Sequence, residues 1–243
     1  IKWMIQSILT IATYGSILFI CGGTMKWKGA WIVLMMTTIS VLLQRMIVPE
    51  SHIASRISPP PPPPPPPPQT EKSSEKQQPP KWDRVLAMTA AIGPILRDVI
   101  AGIDFRNGWT KFEPTNLVII SSVIGILSAS ILMAWSMASN PGFVPRIKMH
   151  EEDDEEDDGG GEKEKEKEKK KKKKKMMNVC KTGPYQFIRH PVYASVIIIM
   201  ASIPPLLGSW IGVLITSNLI LMMIVRTSLE DSFLFENFDD FKQ

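Results

Sequence analysis

Apolar stretches with almost no charge alternate with polar segments along this chain. The first, residues 5–22, is uncharged and long enough to cross the apolar core of a bilayer, about 30 Å thick, as a helix. The same pattern recurs at 31–48, 85–103, 117–138 and 192–225. Because the last stretch is too long for one perpendicular span and short for two, a tight hairpin of two tilted helices fits it best. The pattern predicts an all-α, multi-pass transmembrane bundle of about five to six membrane segments, the last two a Pro-broken helical hairpin.

Ionisable residues interrupt two of these stretches. Arg45 lies near the end of the second, where its long side chain can extend to the membrane interface. Arg97 and Asp98 lie inside the third, shortly after Gly93-Pro94. Charged groups at membrane depth are costly and usually face the bundle interior in pairs, but sequence neighbours point about 100° apart on a helix. We therefore expect each to need a partner elsewhere, unless this stretch is an interfacial or kinked helix.

Two polar segments interrupt the chain. Residues 49–81 contain ten consecutive prolines, Pro59–Pro68, which favour an extended polyproline II rod. Such a rod is either a spacer or a ligand for an SH3 or WW domain. Residues 151–176 are mostly Glu, Asp, Lys and Gly without an apolar face, so a solvated, disordered insert is expected there. The segments predicted along the chain are 1–48, 49–81, 82–150, 151–176 and 177–243.

Charge indicates a membrane rather than a nucleic acid as the partner. Lysine and arginine outnumber the acidic residues only slightly, 28 to 24, and outside the insert they lie mostly beside apolar stretches. No soluble domain remains that could present this charge to a nucleic acid. The two cysteines, Cys21 and Cys180, fit no metal-ligand spacing and imply no disulfide, so no metal is expected.

The distribution of Lys and Arg also predicts the orientation of the chain in the membrane. The loops 49–84 and 139–191 are richer in these residues than the loops 23–30 and 104–116. Basic loops remain on the cytoplasmic side of membranes. The two basic loops, the N-terminus and the C-terminal tail are therefore expected to be cytoplasmic.

The loop before the hairpin carries a chemical pattern, Thr182-Gly-Pro-Tyr-Gln-Phe-Ile-Arg-His-Pro-Val-Tyr193. Gly183-Pro184 predicts a turn, and Pro191 suits the first turn of the next helix. Arg189 and His190 would then precede a helix N-terminus, whose backbone N–H groups favour an anion. The hairpin would return Glu230 and Asp231 to the same face. The expected result is a cationic cluster and an anionic cluster on one rim, with Tyr185, Phe187 and Tyr193 between them.

These clusters suit a zwitterionic ligand with an aromatic ring. Arg189 would bind a carboxylate through two parallel hydrogen bonds, and Glu230 would bind an ammonium group. The tyrosines would border an adenine. The chemistry alone leaves another interpretation open, in which a positively charged loop precedes an ordinary helix cap.

The spacing Gly-Pro-Tyr-x-x-x-Arg-His-Pro-x-Tyr, followed after a helical hairpin by a double acid, resembles the isoprenylcysteine carboxyl methyltransferase family. That family is one of a wider group of membrane methyltransferases that includes phospholipid methyltransferases. The resemblance covers about 82–150 and 177–243, and its flanking elements are Asp104–Trp109, Asn140–Phe143, Gly208–Trp210 and Arg226–Asp231. It implies a multi-pass helical enzyme that uses S-adenosylmethionine, with core helices in 82–150 and the cofactor-binding motif, hairpin and tail in 177–243.

The resemblance also implies the site residues, carried over position by position. Arg189, His190 and Glu230 are the candidate catalytic residues, and Arg226 is a further candidate at the family's spacing. The candidate cofactor-binding residues are Gly183, Pro184, Tyr185, Arg189, His190, Pro191, Tyr193, Glu230 and Asp231. Met177 stands where the family often has His, and the charged insert lies just upstream. Both departures adjoin the cofactor segment, so a lowered affinity or an inactive copy is a further expectation.

The implied reaction is methylation of the carboxylate of a C-terminal isoprenylcysteine or a similar lipophilic acceptor, at the endoplasmic reticulum if the protein is eukaryotic. Methylation of a phospholipid amine by the same fold stays open, because generic Leu, Ile and Met would line either acceptor cavity. A sterol reductase, which shares Arg-His-Pro-x-Tyr and binds a nicotinamide cofactor, fits Gly183-Pro184-Tyr185 less well. A non-catalytic membrane scaffold that displays the proline rod is the alternative from another class.

Overall fold

The computed structural model describes residues 2–49, 81–140, 180 and 182–237. Within them the chain forms six α-helices and no strand, which confirms the all-α fold. The predicted proline rod, the charged insert, Met177 and the residues after Asn237 lie outside this described part. The helices are α1 (Lys2–Gly22), α2 (Lys28–Ile47), α3 (Lys81–Asn107), α4 (Asn116–Ser139), α5 (Pro191–Leu207) and α6 (Trp210–Asn237), with a 3₁₀ turn at Gly183–Gln186 before α5.

Five of these six helices are long and apolar enough to cross a membrane, and α5 is shorter with 17 residues. Many of their large apolar side chains face outward, as shown by Ile8, Leu117 and Leu214, each more than 60% exposed. An apolar exterior is what a lipid environment requires, because helices satisfy their backbone hydrogen bonds internally and need no polar surface. The helices fit a multi-pass membrane protein.

The turn between α5 and α6 lies at one end of the bundle, which we call the turn end. There the Phe112 amide donates to the Gly208 carbonyl oxygen at 2.8 Å, and the Trp27 indole donates to the Leu207 carbonyl oxygen at 3.3 Å. The buried Asp104 accepts hydrogen bonds from the Thr110 amide and hydroxyl, both at 2.7 Å, and from the Ser209 hydroxyl. The loop after α3 is thus tied to the α5–α6 turn. The segment 182–190 lies at the opposite end, the motif end.

The predicted hairpin is confirmed, and the chain reverses at Gly208, directly after the part of α5 that contains the prolines. Pro204 and Pro205 lie inside the last turn of α5, and the helix ends at Gly208. Gly208 has φ +69°, a left-handed conformation that glycine adopts without steric cost, and its amide bonds the Pro204 carbonyl oxygen at 3.1 Å. The tail expected from Arg226 onward is also helical, because α6 continues to Asn237.

The third apolar stretch forms one continuous helix that contains Pro94. Arg97 and Asp98 are both almost fully buried in it, and they pair with each other: Arg97 Nε and Nη2 each lie 2.8 Å from Asp98 Oδ1. The expectation that each needs a partner elsewhere was wrong, because the long arginine side chain bends back to its neighbour. Arg45 donates to the Ser7 hydroxyl of α1 at 3.0 Å and so links α2 to α1.

Candidate active site

A groove of about 540 Å³ lies between α5 and α6 at the motif end. Along each helix its residues recur three and four positions apart, so one stripe of α5 faces one stripe of α6. The volume falls within the range of about 300–1,000 Å³ that is usual for small-molecule sites. The residues that line the groove are His190, Tyr193, Ala194 and Ile197 from the α5 side, and Ile224, Thr227, Ser228, Asp231, Ser232 and Phe235 from α6.

The two walls make the groove amphipathic. Its polar groups, His190 and Asp231 with several hydroxyl groups, lie toward the motif end. Its apolar groups include Ile197 and Ile224, which lie further along the helices toward the turn end. Ile224 is half exposed on the outer surface of the bundle. The groove therefore passes from a polar mouth to the apolar exterior of the helices.

His190 and Asp231 meet across the mouth of the groove. His190 Nε2 lies 2.8 Å from Asp231 Oδ1, with side chains 18% and 29% exposed. His190 directly precedes the first residue of α5, Pro191, and its ring stacks on that of Tyr193, 5.3 Å away and nearly parallel. The expected return of the acidic pair to the motif loop is thus observed for Asp231.

Glu230 reaches the motif through Tyr193 and does not itself line the groove. The Tyr193 hydroxyl donates to Glu230 Oε2 at 2.8 Å. Tyr193 lines the groove with its ring. The Glu230 carboxylate therefore fixes the hydroxyl end of a ring that forms part of the groove wall. Glu230 is half-buried, and its role as a ligand for an ammonium group stays a prediction.

Arg226 lies behind Tyr193, away from the groove lining. Its guanidinium carbon is 5.4 Å from the centre of the Tyr193 ring, within cation–π distance. Its Nη2 and Nε also donate to Asp83 Oδ1, at 2.9 and 3.3 Å, and both residues are almost fully buried. Asp83 belongs to the first turn of α3, and the sequence analysis missed it. The signal that could have found it is the arginine late in an apolar stretch, which requires an acidic partner.

The remaining motif residues shape the loop. Gly183 has φ +60°, and a Cβ there would overlap the Ser139 side chain at the end of α4. Pro184 is buried, and its carbonyl oxygen accepts from the amides of residues 187 and 188 at 3.1 Å. Tyr185 is half-buried in the same turn. These three and the buried Pro191 do not line the groove.

Arg189 is the exposed cation of the loop. Its guanidinium carbon lies 5.2 Å from the centre of the Phe235 ring, and Phe235 lines the groove. The arginine therefore lies at the groove's mouth without being part of its wall. A carboxylate at the mouth would be within reach of a side chain that is exposed to solvent.

These features together define a multi-pass α-helical membrane protein with an amphipathic groove at one end of its last two helices. Residues 170–236 match the model of the Isoprenylcysteine carboxyl methyltransferase (ICMT) family. The matched segment includes the 3₁₀ turn, α5 and nearly all of α6, hence every residue that lines the groove. The resemblance read from the motif is thereby confirmed over this segment. No curated protein and no solved structure matches the chain.

Proposed function

We propose that the chain is an integral-membrane, S-adenosylmethionine-dependent methyltransferase that methylates a carboxylate on a lipophilic acceptor, such as a C-terminal isoprenylcysteine. The observation that carries the proposal is the groove that the motif residues His190 and Tyr193 line together with Asp231, which His190 contacts. This groove is built within the segment that matches a family named for this reaction.

The residues at the groove fit S-adenosylmethionine by their chemistry. The Asp231 carboxylate offers acceptors for an ammonium group or for ribose hydroxyls, and the Arg189 guanidinium offers two parallel donors to a carboxylate. The rings of Tyr193 and Phe235 offer apolar faces to an adenine. His190 and Glu230 would hold Asp231 and Tyr193 in place, while Gly183, Pro184, Tyr185 and Pro191 would shape the loop around the ligand.

The chemistry requires little of the protein beyond alignment. When bound, S-adenosylmethionine supplies a methyl group that its sulfonium already activates. A carboxylate acceptor is an anion at neutral pH, so it would need no general base, and the residues of the groove would have to align it with that methyl group. Holding the two reacting atoms in line can supply up to ~7–11 kcal/mol. The apolar end of the groove at Ile197 and Ile224 would exclude water from the acceptor.

The amphipathic groove suits an acceptor that comes from the bilayer. A prenyl chain would lie toward the apolar end, where Ile224 and Leu221 are exposed on the membrane-facing surface. The carboxylate would then lie toward the polar mouth at Asp231 and Arg189. We propose that this mouth faces the cytoplasm, in agreement with the orientation that the distribution of Lys and Arg along the sequence predicts.

A second candidate, methylation of a phospholipid amine, is favoured by the His190–Asp231 contact. An amine must lose a proton before it attacks, and a histidine oriented by a carboxylate is the usual arrangement for a general base. His190 would take the proton, and Asp231 would stabilise the resulting imidazolium.

Two measurements on detergent-purified full-length protein test these proposals. Calorimetry should show binding of S-adenosylmethionine that Arg189→Ala or Asp231→Ala weakens strongly; no binding by the folded protein contradicts the methyltransferase assignment. Transfer of labelled methyl groups should then occur to a farnesylated cysteine with a free carboxylate and not to phosphatidylethanolamine. The opposite preference, lost in His190→Gln, would favour the amine reaction.

A further inference from the structure

We propose that Asp83 is a positioning residue of this site, which acts through Arg226 to fix the ring of Tyr193 in the groove wall. The inference rests on the proposed function. It adds a residue from α3, which precedes the segment 170–236 that matches the family. The site would therefore depend on a residue that lies 100 positions before Gly183 in the chain.

The first step is the ion pair itself. Asp83 Oδ1 accepts from Arg226 Nη2 at 2.9 Å and from Nε at 3.3 Å, and the two side chains are only 3% and 4% exposed. Two charges removed from water are tolerated only when each keeps its partner. Without Asp83, the guanidinium would lose the acceptor that holds it from the side of α3. The aspartate therefore contributes to where the arginine lies.

The second step is the contact between Arg226 and Tyr193. The guanidinium carbon lies 5.4 Å from the ring centre, and attraction between a cation and an aromatic face increases when both are shielded from water. Glu230, one helical turn after Arg226, accepts from the Tyr193 hydroxyl at 2.8 Å. The tyrosine is thus held through both its ring and its hydroxyl by residues of α6.

The third step leads to the mouth of the groove. The Tyr193 ring stacks on His190, and His190 contacts Asp231. A displaced Arg226 would release the Tyr193 ring. The His190 ring, which contacts Asp231, would then lose the ring on which it stacks. We therefore expect the loss of Asp83 to weaken ligand binding without removing any group that touches the ligand.

Asp104 is a matched control on the same helix. It is also a fully buried aspartate of α3, but it lies at the turn end, where it accepts from Thr110 and Ser209. None of its hydrogen-bond partners lines the groove. Both aspartates contribute to stability. If the role of Asp83 were purely structural, replacing either aspartate would have the same effect on ligand affinity.

The experiment compares Asp83→Asn with Asp104→Asn in the detergent-purified full chain. Thermal unfolding should occur at a lower temperature in both variants. The Kd for S-adenosylmethionine should rise by about tenfold or more, equivalent to about 1.4 kcal/mol, in Asp83→Asn only. An unchanged Kd in Asp83→Asn, or an equal rise in Asp104→Asn, would overturn the positioning role. A wild-type chain that binds no S-adenosylmethionine would contradict the proposed function, and the positioning role with it.

A double variant keeps the test valid if Asp83→Asn unfolds. Asp83→Leu with Arg226→Met removes both buried charges, a change that is often neutral or stabilising because no unpaired charge is left. We expect the unfolding temperature to return toward that of the wild type while the Kd stays raised, because no guanidinium lies behind Tyr193. Recovery of wild-type affinity together with stability would show that the pair is structural only.

Discussion

His190 and Asp231 are 41 residues apart in sequence, yet His190 Nε2 lies 2.8 Å from Asp231 Oδ1. The contact joins the residue before α5 to the last two turns of α6, so it forms only when the hairpin closes at Gly208. The motif loop and the acidic pair thus form one site because of the hairpin.

The Asp231 carboxylate is expected to be required for ligand binding. Asp231→Asn keeps the shape of the side chain but removes the charge, and hydrogen bonds to charged groups contribute about 1.5–3 kcal/mol. The Kd for S-adenosylmethionine should therefore rise by about tenfold or more in calorimetry. Glu113→Gln, which neutralises an exposed acid in the loop at the turn end, is the control. Equal affinities of the two variants would contradict a role for Asp231.

Tyr193 is expected to contribute its ring to binding and its hydroxyl to stability. Tyr193→Phe keeps the ring but leaves the Glu230 carboxylate without this donor, which should lower stability by about 1–3 kcal/mol. Tyr193→Leu removes the ring as well, so it should raise the Kd for S-adenosylmethionine far more than Tyr193→Phe. Thermal unfolding and calorimetry on both variants separate the two effects. A larger loss of affinity in Tyr193→Phe would contradict this division.

The first four membrane helices could be predicted from the sequence to within a few residues, whereas α6 continues to Asn237, well beyond the apolar stretch that predicted it. The second was expected at 31–48 and forms Lys28–Ile47, and the fourth was expected at 117–138 and forms Asn116–Ser139. Length and apolarity fix such helices, because a bilayer requires about 20 apolar residues per span. The contact between Asp231 and the motif could also be predicted, because a hairpin of two long helices returns the chain to the end of the bundle at which it began.

Contacts between side chains on different helices could not be predicted in this way. Asp83 and Arg226 are 143 residues apart, and no sequence periodicity relates them. The sequence located the hairpin in the last apolar stretch, whereas the positive φ with which Gly208 reverses the chain is seen only in the backbone geometry. The pairing of Arg97 with Asp98 depends on side-chain torsions, which helix geometry alone does not fix.

Gly208 should tolerate no side chain. At φ +69° a residue with a Cβ is strained by roughly 1–2 kcal/mol, and here the added atom would also overlap the Phe112 carbonyl oxygen. Gly208→Ala should therefore lower the unfolding temperature. Gly15→Ala is the control, because that glycine lies inside α1 and its added Cβ would meet Leu34 at an ordinary distance of 3.4 Å. A control variant as unstable as Gly208→Ala would show that the effect is not due to the turn.

Breaking the ion pair of Arg97 and Asp98 should destabilise the protein more than removing both of its members. Arg97→Met leaves the Asp98 carboxylate buried without its cation, and breaking a buried pair in this way costs about 3–5 kcal/mol. Arg97→Met combined with Asp98→Leu removes both charges, so the double variant should unfold at a higher temperature than the single one. Thermal unfolding in detergent measures both. The order of these two variants would be reversed if Asp98 were stabilised chiefly by other groups, such as the Tyr14 hydroxyl that lies beside it.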